Sequence, residues 1–225
     1  MFQPVLKDSF AWRTQDPEYD WEMVGHLLLR DGEILLIDPP YVHGIEKLLP
    51  LIGKPQAIIL TTADHTRGSK YLSAKLKVPI YVPLQSDSIS VSPKKMYDGK
   101  GITNFEVYEE GTIFWLSARK VTVFRNNEDE LPYIDEMILT YDRTVITGDI
   151  AMGSSSGELL TIDEGFTVSP DDNLVHSSFN VVKDRLSDLH IENLLSSHGF
   201  DIVGNLLAKV HKKETYSDSL GKRSS

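Results

Sequence analysis

The sequence predicts a layered α/β protein. Three observations predict it: strand-like and helix-like segments alternate over the first 85 residues, short β-like segments separated by turns follow from about residue 100, and polar residues stand where several predicted strands end. Alternating strands and helices place helices on the faces of a sheet. A hydrophobic share of 40% in 225 residues predicts one domain over residues 1–210. The polar tail, residues 211–225, is predicted to be flexible.

The first half of the chain supplies the alternating elements. Residues 27–37 predict a β-hairpin around an Asp31-Gly32 turn. Apolar residues at helical spacing follow over 45–51 and end at Gly53. Three further elements are predicted, a buried strand, a helix and a strand, over 55–62, 66–77 and 78–83.

The second half of the chain is predicted to consist mainly of short strands separated by turns. Short strands are predicted over 105–111, 113–118 and 120–125. A clear hairpin at 136–149 turns at Asp142-Arg143, and a small polar loop follows at 153–158. The last elements are a helix, a short strand and an amphipathic segment, over 170–189, 191–198 and 202–210.

The overall charge limits the classes of partner. Thirty-three acidic and twenty-three basic residues give a formal net charge of −10, which repels phosphate backbones and anionic lipids, so neither nucleic acid nor a membrane is expected as a partner. No apolar run approaches the length of a membrane span, and a cytoplasmic location is expected. The oligomeric state stays open, with a homodimer as one expectation.

The polar residues at strand ends are the candidate site. Four predicted strands end in a carboxylate or an imidazole, at Asp38, at Asp64 with His65, at Asp149 and at His198. Loops that leave strand ends line one edge of an α/β sandwich, where polar groups converge on a pocket. The chain has no cysteine, so any metal must be held by imidazoles and carboxylates, a donor set that suits Zn²⁺, Fe²⁺ or Mn²⁺.

The order of these segments resembles the metallo-β-lactamase superfamily over nearly the whole chain. The segments are "LLIDPP", "LTTADHTRG", "TGDI" and "LLSSHGF". The resemblance implies a four-layer αββα sandwich and a metal-dependent hydrolase. It places Asp64 and His65 at the end of the family's His-x-His-x-Asp-His motif, Asp149 at its metal-bridging acid, and His198 at its last histidine.

Two departures from the family pattern change the expected site. The first two histidines of the main motif fall on Leu60 and Thr62, and no histidine lies between residues 118 and 136, where a third one is expected. One of the family's two metal positions is therefore predicted to be missing. The resemblance then implies a single divalent ion, Zn²⁺, Fe²⁺ or Mn²⁺, whose ligands are Asp64, His65, Asp149 and His198.

Other residues are expected to support this site. Asp38 and Thr62 are predicted to hold the ligands in place without binding the ion. Whether an acid in the segment 128–130 replaces the third histidine as an oxygen ligand stays open. Asp149 is alternatively a turn residue after Gly148, and His198 a loop histidine before a glycine.

Asp64 in the main motif and Arg67 just after it have competing interpretations. Asp64 is either a ligand or the N-cap of a helix that begins near Thr66. Arg67 either orients a substrate carboxylate or a developing oxyanion, or forms an ion pair with Asp64 or Asp149 that replaces the ion. The second alternative for Arg67 predicts a metal-free site.

The resulting functional hypothesis is a hydrolase-like protein that acts on a small ester, thioester or lactone. Asp149 or Asp64 is expected to accept a proton, with Arg67 orienting the small-molecule substrate. The competing hypothesis is a binding module without turnover that holds metal weakly or not at all. A dioxygenase-like use of a lone Fe²⁺ is a third possibility from the family resemblance.

Overall fold

A computed structural model describes residues 2–17, 19, 21–86, 92–125, 131–166, 171–186 and 190–210. The predicted flexible tail and the acids Glu128, Asp129 and Glu130 lie outside the described residues. The strands and helices run in the following order: β1 (Gln3–Leu6), β2 (Ser9–Gln15), β3 (Glu22–Arg30), β4 (Glu33–Ile37), α1 (Ile45–Ile52), β5 (Lys54–Ile59), α2 (Ser69–Leu76), β6 (Ile80–Pro83), α3 (Pro93–Gly99), β7 (Glu106–Tyr108), β8 (Gly111–Ile113), β9 (Leu116–Val123), β10 (Ile134–Tyr141), β11 (Thr144–Thr147), β12 (Met152–Gly153), β13 (Leu159–Leu160), α4 (Ile162–Phe166), α5 (Asp172–Leu186) and β14 (Asn193–Ser196).

Two sheets form the centre of the molecule. The first contains strands β1 to β7 in chain order, and the second has the order β14-β11-β10-β9-β8. Strands β4 to β7 pair in parallel, and so do β11 and β14, whereas the other neighbours in both sheets are antiparallel. The parallel pairs matter for the site because their carboxyl ends lie at a common edge.

Three hydrophobic cores define four layers. One core contains residues of both sheets, including Leu35 of β4 and Ile146 of β11. A second joins the first sheet to α1 and α2, and a third joins the second sheet to α5. Along β4, Leu35 faces the core between the sheets while its neighbour Leu36 faces the helices. Because both faces of β4 are covered, its sequence is apolar from Ile34 to Ile37.

The architecture confirms the predicted four-layer αββα sandwich. The hairpins around Asp31-Gly32 and Asp142-Arg143 and the helix that ends at Gly53 all form. Strands β1 and β2 were not predicted. No helix within the described ranges is long and apolar enough to cross a membrane.

Two predicted boundaries are wrong. The segments 113–118 and 120–125 are not separate strands, because the chain turns at Phe114-Trp115 and β9 then runs unbroken to Val123. Phe114 has φ 55°, a conformation in which aromatic residues are uncommon, so the sequence gives no turn signal there. Helix α2 begins only at Ser69, after a turn over residues 63–68 that includes the end of the main motif.

Candidate metal centre

The loop after β5 places His65 against a buried carboxylate. Asp38, at the end of β4, is fully buried and accepts hydrogen bonds from the backbone N–H of Thr61 (2.8 Å) and from its hydroxyl (2.5 Å). His65 Nδ1 lies 2.9 Å from Asp38 Oδ2. Because a carboxylate oxygen only accepts, this contact leaves His65 Nδ1 as the donor and turns Nε2 toward the site.

The end of β14 places the second imidazole. Ser197 donates its hydroxyl to Asp38 Oδ2 (2.5 Å), and its carbonyl accepts from the Val24 N–H of β3 (3.0 Å). His198 Nδ1 lies 3.2 Å from the carbonyl oxygen of Glu22, again an acceptor. Nε2 of His198 therefore carries a lone pair, and it also points into the site.

The loop after β11 places the carboxylate. Glu136, fully buried on β10, accepts hydrogen bonds from three consecutive backbone N–H groups, those of Gly148 (3.1 Å), Asp149 (2.5 Å) and Ile150 (3.2 Å). A Cβ at Gly148 would come within 2.5 Å of the Thr61 hydroxyl oxygen, so the loop approaches β5 where only glycine fits. The loop is thereby fixed, and the Asp149 side chain faces both histidines.

Three ligand atoms converge at one point. His65 Nε2 lies 3.1 Å from His198 Nε2 and 3.2 Å from Asp149 Oδ1, and His198 Nε2 lies 3.4 Å from the same oxygen. In tetrahedral zinc sites with ligand bonds near 2.0–2.1 Å, ligand atoms are about 3.3 Å apart. The triangle therefore has the size that a single divalent ion requires.

The surroundings of the triangle also fit a metal ion. Within the described part of the chain, His65, Asp149 and His198 form a group whose ligand atoms all lie within 4.8 Å of one another. Each imidazole uses its outer nitrogen for a carboxylate or a backbone carbonyl, as metal-binding histidines do. Two imidazoles and one carboxylate leave room in the coordination shell for water or substrate.

Electrostatic interactions in the ion-free protein are strong. Burial and the Arg67 charge oppose protonation of His65, but Asp149 and Asp38 outweigh them and raise its pKa to about 9. Burial, His65 and Arg67 lower the pKa of His198 to about 3. Although burial acts in the opposite direction, His65 lowers the pKa of Asp149 below its usual range. Without an ion, a proton on His65 offsets the negative charge of the pocket.

Asp64 does not lie beside the other three predicted ligands. Its side chain is 82% exposed and pairs with Lys100 Nζ at 2.8 Å, and it stands at the rim of the pocket rather than in the triangle. The interpretation of Asp64 as a helix N-cap is wrong, because the N-cap of α2 is Gly68 and makes no side-chain capping bond.

Arg67 and Thr62 lie beside the triangle. Arg67 donates to three backbone carbonyls and contacts His198 Nε2, and no ion pair with Asp64 or Asp149 is among its described contacts. Thr62 is buried, and its carbonyl accepts the N–H of His65 (3.3 Å). Thr62 thus supports the loop through its backbone.

A pocket of about 600 Å³ opens over the triangle. His65, Asp149 and His198 are part of its lining. Aromatic and apolar side chains form much of its wall, among them Trp21, Met23, Tyr133 and Ile162, and Lys100 supplies a positive charge at the rim. The pocket has the volume of a small-molecule site.

Three residues that support the site were not predicted from the sequence. Thr61 and Ser197 hold Asp38, and Glu136 holds the Asp149 loop. Glu136 had a usable signal, because an acid inside the apolar strand "YIDEMILTY" needs buried partners. The two hydroxyl residues had none, since serine and threonine are common at strand ends.

The fold has known structural relatives. The structure is similar to DIM-1 metallo-β-lactamase (TM-score 0.66, 14% identity, 100% of this chain and 98% of that one). It is also similar to the mono-zinc form of the metallo-β-lactamase FIM-1 from Pseudomonas aeruginosa (TM-score 0.61, 13% identity, 96% of each chain). A mutant flavo di-iron protein from Thermotoga maritima matches as well (TM-score 0.60, 16% identity, 94% of this chain and 60% of that one).

Sequence comparison adds nothing to this likeness. No protein-family model and no curated protein matches the chain. At the identities of these structural relatives, the likeness concerns the fold.

Proposed function

We propose, from the metallo-β-lactamase fold that this chain adopts, that the protein is a metal-dependent hydrolase with one divalent ion held by His65, Asp149 and His198. The observation that carries the proposal is the triangle of ligand atoms, with sides of 3.1, 3.2 and 3.4 Å, beneath a pocket of substrate size. Zn²⁺, Fe²⁺ and Mn²⁺ all accept this donor set.

The ion would supply a Lewis acid that polarises a carbonyl oxygen and makes water more acidic. Side chains of the protein accept the proton and hold the ligands in position. Asp149 has a second carboxylate oxygen that can accept a proton, and its loop is fixed by the three N–H bonds to Glu136. Asp38 fixes both imidazoles, directly for His65 and through Ser197 for the loop that carries His198.

The aromatic side chains of the pocket wall, rather than Arg67, orient the substrate in this proposal. Arg67 also lines the pocket, but its two Nη atoms are already bound to three backbone carbonyls and to His198 Nε2. Trp21 and Tyr133 line the same pocket and offer apolar surface to a small molecule while excluding water.

The proposed substrates are small esters, thioesters or lactones. A two-ion site stabilises both the attacking and the leaving oxygen, and a single ion cannot do both. Bonds with good leaving groups need less stabilisation of the leaving oxygen, so they suit a one-ion site. The fold itself does not specify a β-lactam substrate.

The test combines metal content with hydrolysis. Chelator-treated protein is reconstituted with Zn²⁺, Fe²⁺ or Mn²⁺, its bound metal is counted by mass spectrometry, and hydrolysis of a p-nitrophenyl ester, a thioester and a γ-lactone is followed. One ion per chain and ion-dependent turnover are expected, both lost in His198→Ala.

The matched control replaces the exposed His190, which is outside the triangle, by alanine and should change neither quantity. Bound metal well below one ion per chain after reconstitution would overturn the proposal.

A further inference from the structure

Arg67 has an unusual backbone position for its residue type. Its φ is 34°, in the left-handed region that favours glycine. The next residue, Gly68, packs so closely that a Cβ there would come within 2.6 Å of the Tyr41 backbone nitrogen. The left-handed backbone conformation of Arg67 directs its side chain inward, toward the metal centre.

The guanidinium joins three segments that carry the site. Nη1 donates to the carbonyls of Val24 (2.9 Å) and Asp38 (3.3 Å), and Nη2 donates to the carbonyl of Ser197 (3.2 Å). A fourth contact runs from Nη2 to His198 Nε2 at 3.0 Å. These contacts match the four N–H bonds of the two Nη atoms.

The fourth contact involves the lone pair that a metal ion needs. The hydrogen of the neutral His198 ring is on Nδ1, because that nitrogen faces the carbonyl oxygen of Glu22. His198 Nε2 therefore accepts from Arg67, whereas the proton of His65 Nε2 is donated to Asp149 Oδ1 at 3.2 Å. An ion bound at the triangle would take the same lone pair, so Arg67 and the ion compete for one nitrogen atom.

We infer that Arg67 is an internal competitor for the metal ion, which lowers the affinity of the His65-Asp149-His198 site for divalent cations. This inference rests on the proposed function. Ion binding must break the bond between Arg67 and His198, and it must also overcome the repulsion between the ion and the guanidinium. Burial lowers the pKa of Arg67 below its usual range, and the carboxylates of Asp38 and Asp149 act in the opposite direction by favouring its charge.

Metal affinities of two variants test the inference. Arg67→Met keeps the length of the side chain and removes its charge and donors, whereas Arg67→Lys keeps the charge. Competition with a chromophoric chelator should show that Zn²⁺ binds Arg67→Met at least about tenfold more tightly than wild type, or about 1.4 kcal/mol. Arg67→Lys should show a smaller gain.

Arg13→Met is the matched control. Arg13 also donates to the loop that carries His198, through the Gly199 carbonyl, but it has no contact with the triangle among the described bonds. Its Zn²⁺ affinity should stay within about twofold of wild type, a change of about 0.4 kcal/mol. Equal or weaker binding by Arg67→Met would overturn the inference while leaving the proposed function intact. Failure of every protein to bind Zn²⁺ would overturn both.

A second measurement needs no variant. In ¹⁵N NMR of the wild-type protein, the Arg67 side-chain and His198 ring signals are followed during a Zn²⁺ titration. Because the Nη2 bond to His198 must break, both sets should change together, with the same midpoint. An Arg67 signal that stays unchanged while His198 binds the ion would contradict competition, even if Arg67→Met does not fold.

Discussion

His65 Nε2 and His198 Nε2 lie 3.1 Å apart, although 133 positions separate the two residues in the chain. Asp38 is the connection between them, because it binds His65 Nδ1 directly and accepts the hydroxyl of Ser197, the neighbour of His198. One buried carboxylate thus sets the positions of two imidazoles from different sheets. The properties of the site should depend on this residue, which lies outside the ligand triangle.

Asp38→Asn should weaken Zn²⁺ binding by about 10- to 100-fold, as losses of such supporting partners do in metal sites. An amide presents one acceptor oxygen in place of two, so it cannot satisfy Thr61, Ser197 and His65 together. The measurement is competition with a chelator. Asp142→Asn is the control, because Asp142 is 67% exposed, pairs with Arg30 and stands at the opposite end of β11 from Asp149. An Asp38→Asn protein with wild-type affinity would show that Asp38 does not orient the ligands.

Two of the four predicted ligands are acids, Asp64 and Asp149, and replacing them should affect metal binding differently. Asp149→Asn should lower Zn²⁺ affinity by at least about tenfold, or 1.4 kcal/mol, because its oxygen is a corner of the triangle. Asp64→Asn should leave the affinity within about twofold, because Asp64 is exposed and bound to Lys100. The two variants are compared by calorimetric titration at one pH and ionic strength. The opposite order of the two effects would place Asp64, and not Asp149, at the ion.

Gly148→Ala should destabilise the fold by about 1–3 kcal/mol through overpacking. The added Cβ would meet the Thr61 hydroxyl oxygen at 2.5 Å and a Glu136 carboxylate oxygen at 2.9 Å. The measurement is urea unfolding followed by circular dichroism. Gly99→Ala serves as the comparison, because a Cβ at Gly99 meets nothing within 4 Å and should be neutral or slightly stabilising. Equal stabilities of the two variants would mean that the loop at Gly148 has free space.

The ionisation of Asp201 should make the free energy of unfolding depend on pH under acidic conditions. Burial opposes ionisation of Asp201, but the buried His26 at 2.9 Å and the backbone N–H of Ser196 lower its pKa below the ordinary 3.8. A carboxyl whose folded pKa is depressed stabilises the protein above its unfolded pKa, and this stabilisation is lost as the pH falls through the folded value. Asp201→Asn should therefore cost about 1.5–3 kcal/mol at pH 7.

The difference between wild type and Asp201→Asn should stay constant down to about pH 4 and shrink below it. Urea unfolding at a series of pH values from 7 to 3 measures it, with Asp142→Asn as an exposed control. A difference that is the same at pH 3 as at pH 7 would show that the ionisation of Asp201 does not contribute.

Much of the fold follows from local patterns in the sequence. The apolar runs of β4 and β5, the hairpin at Asp142-Arg143 and the glycine after α1 each have a direct physical cause in their residues. The sequence predictions that were wrong also have physical causes. The turn at Phe114 lacks turn residues, and Asp64 looks like an N-cap although α2 begins five residues later.

The sequence by itself determined the layered α/β class and the positions of His65, Asp149 and His198 at strand ends, because burial of apolar strands and the chemistry of loop residues are local properties. Only the tertiary structure decided that these three meet while Asp64 pairs with Lys100, and that Arg67 contacts His198. Adjacent residues in a tight turn point in different directions. The direction of each side chain depends on partners from distant strands, such as Asp38 and Glu136, which no local pattern reveals.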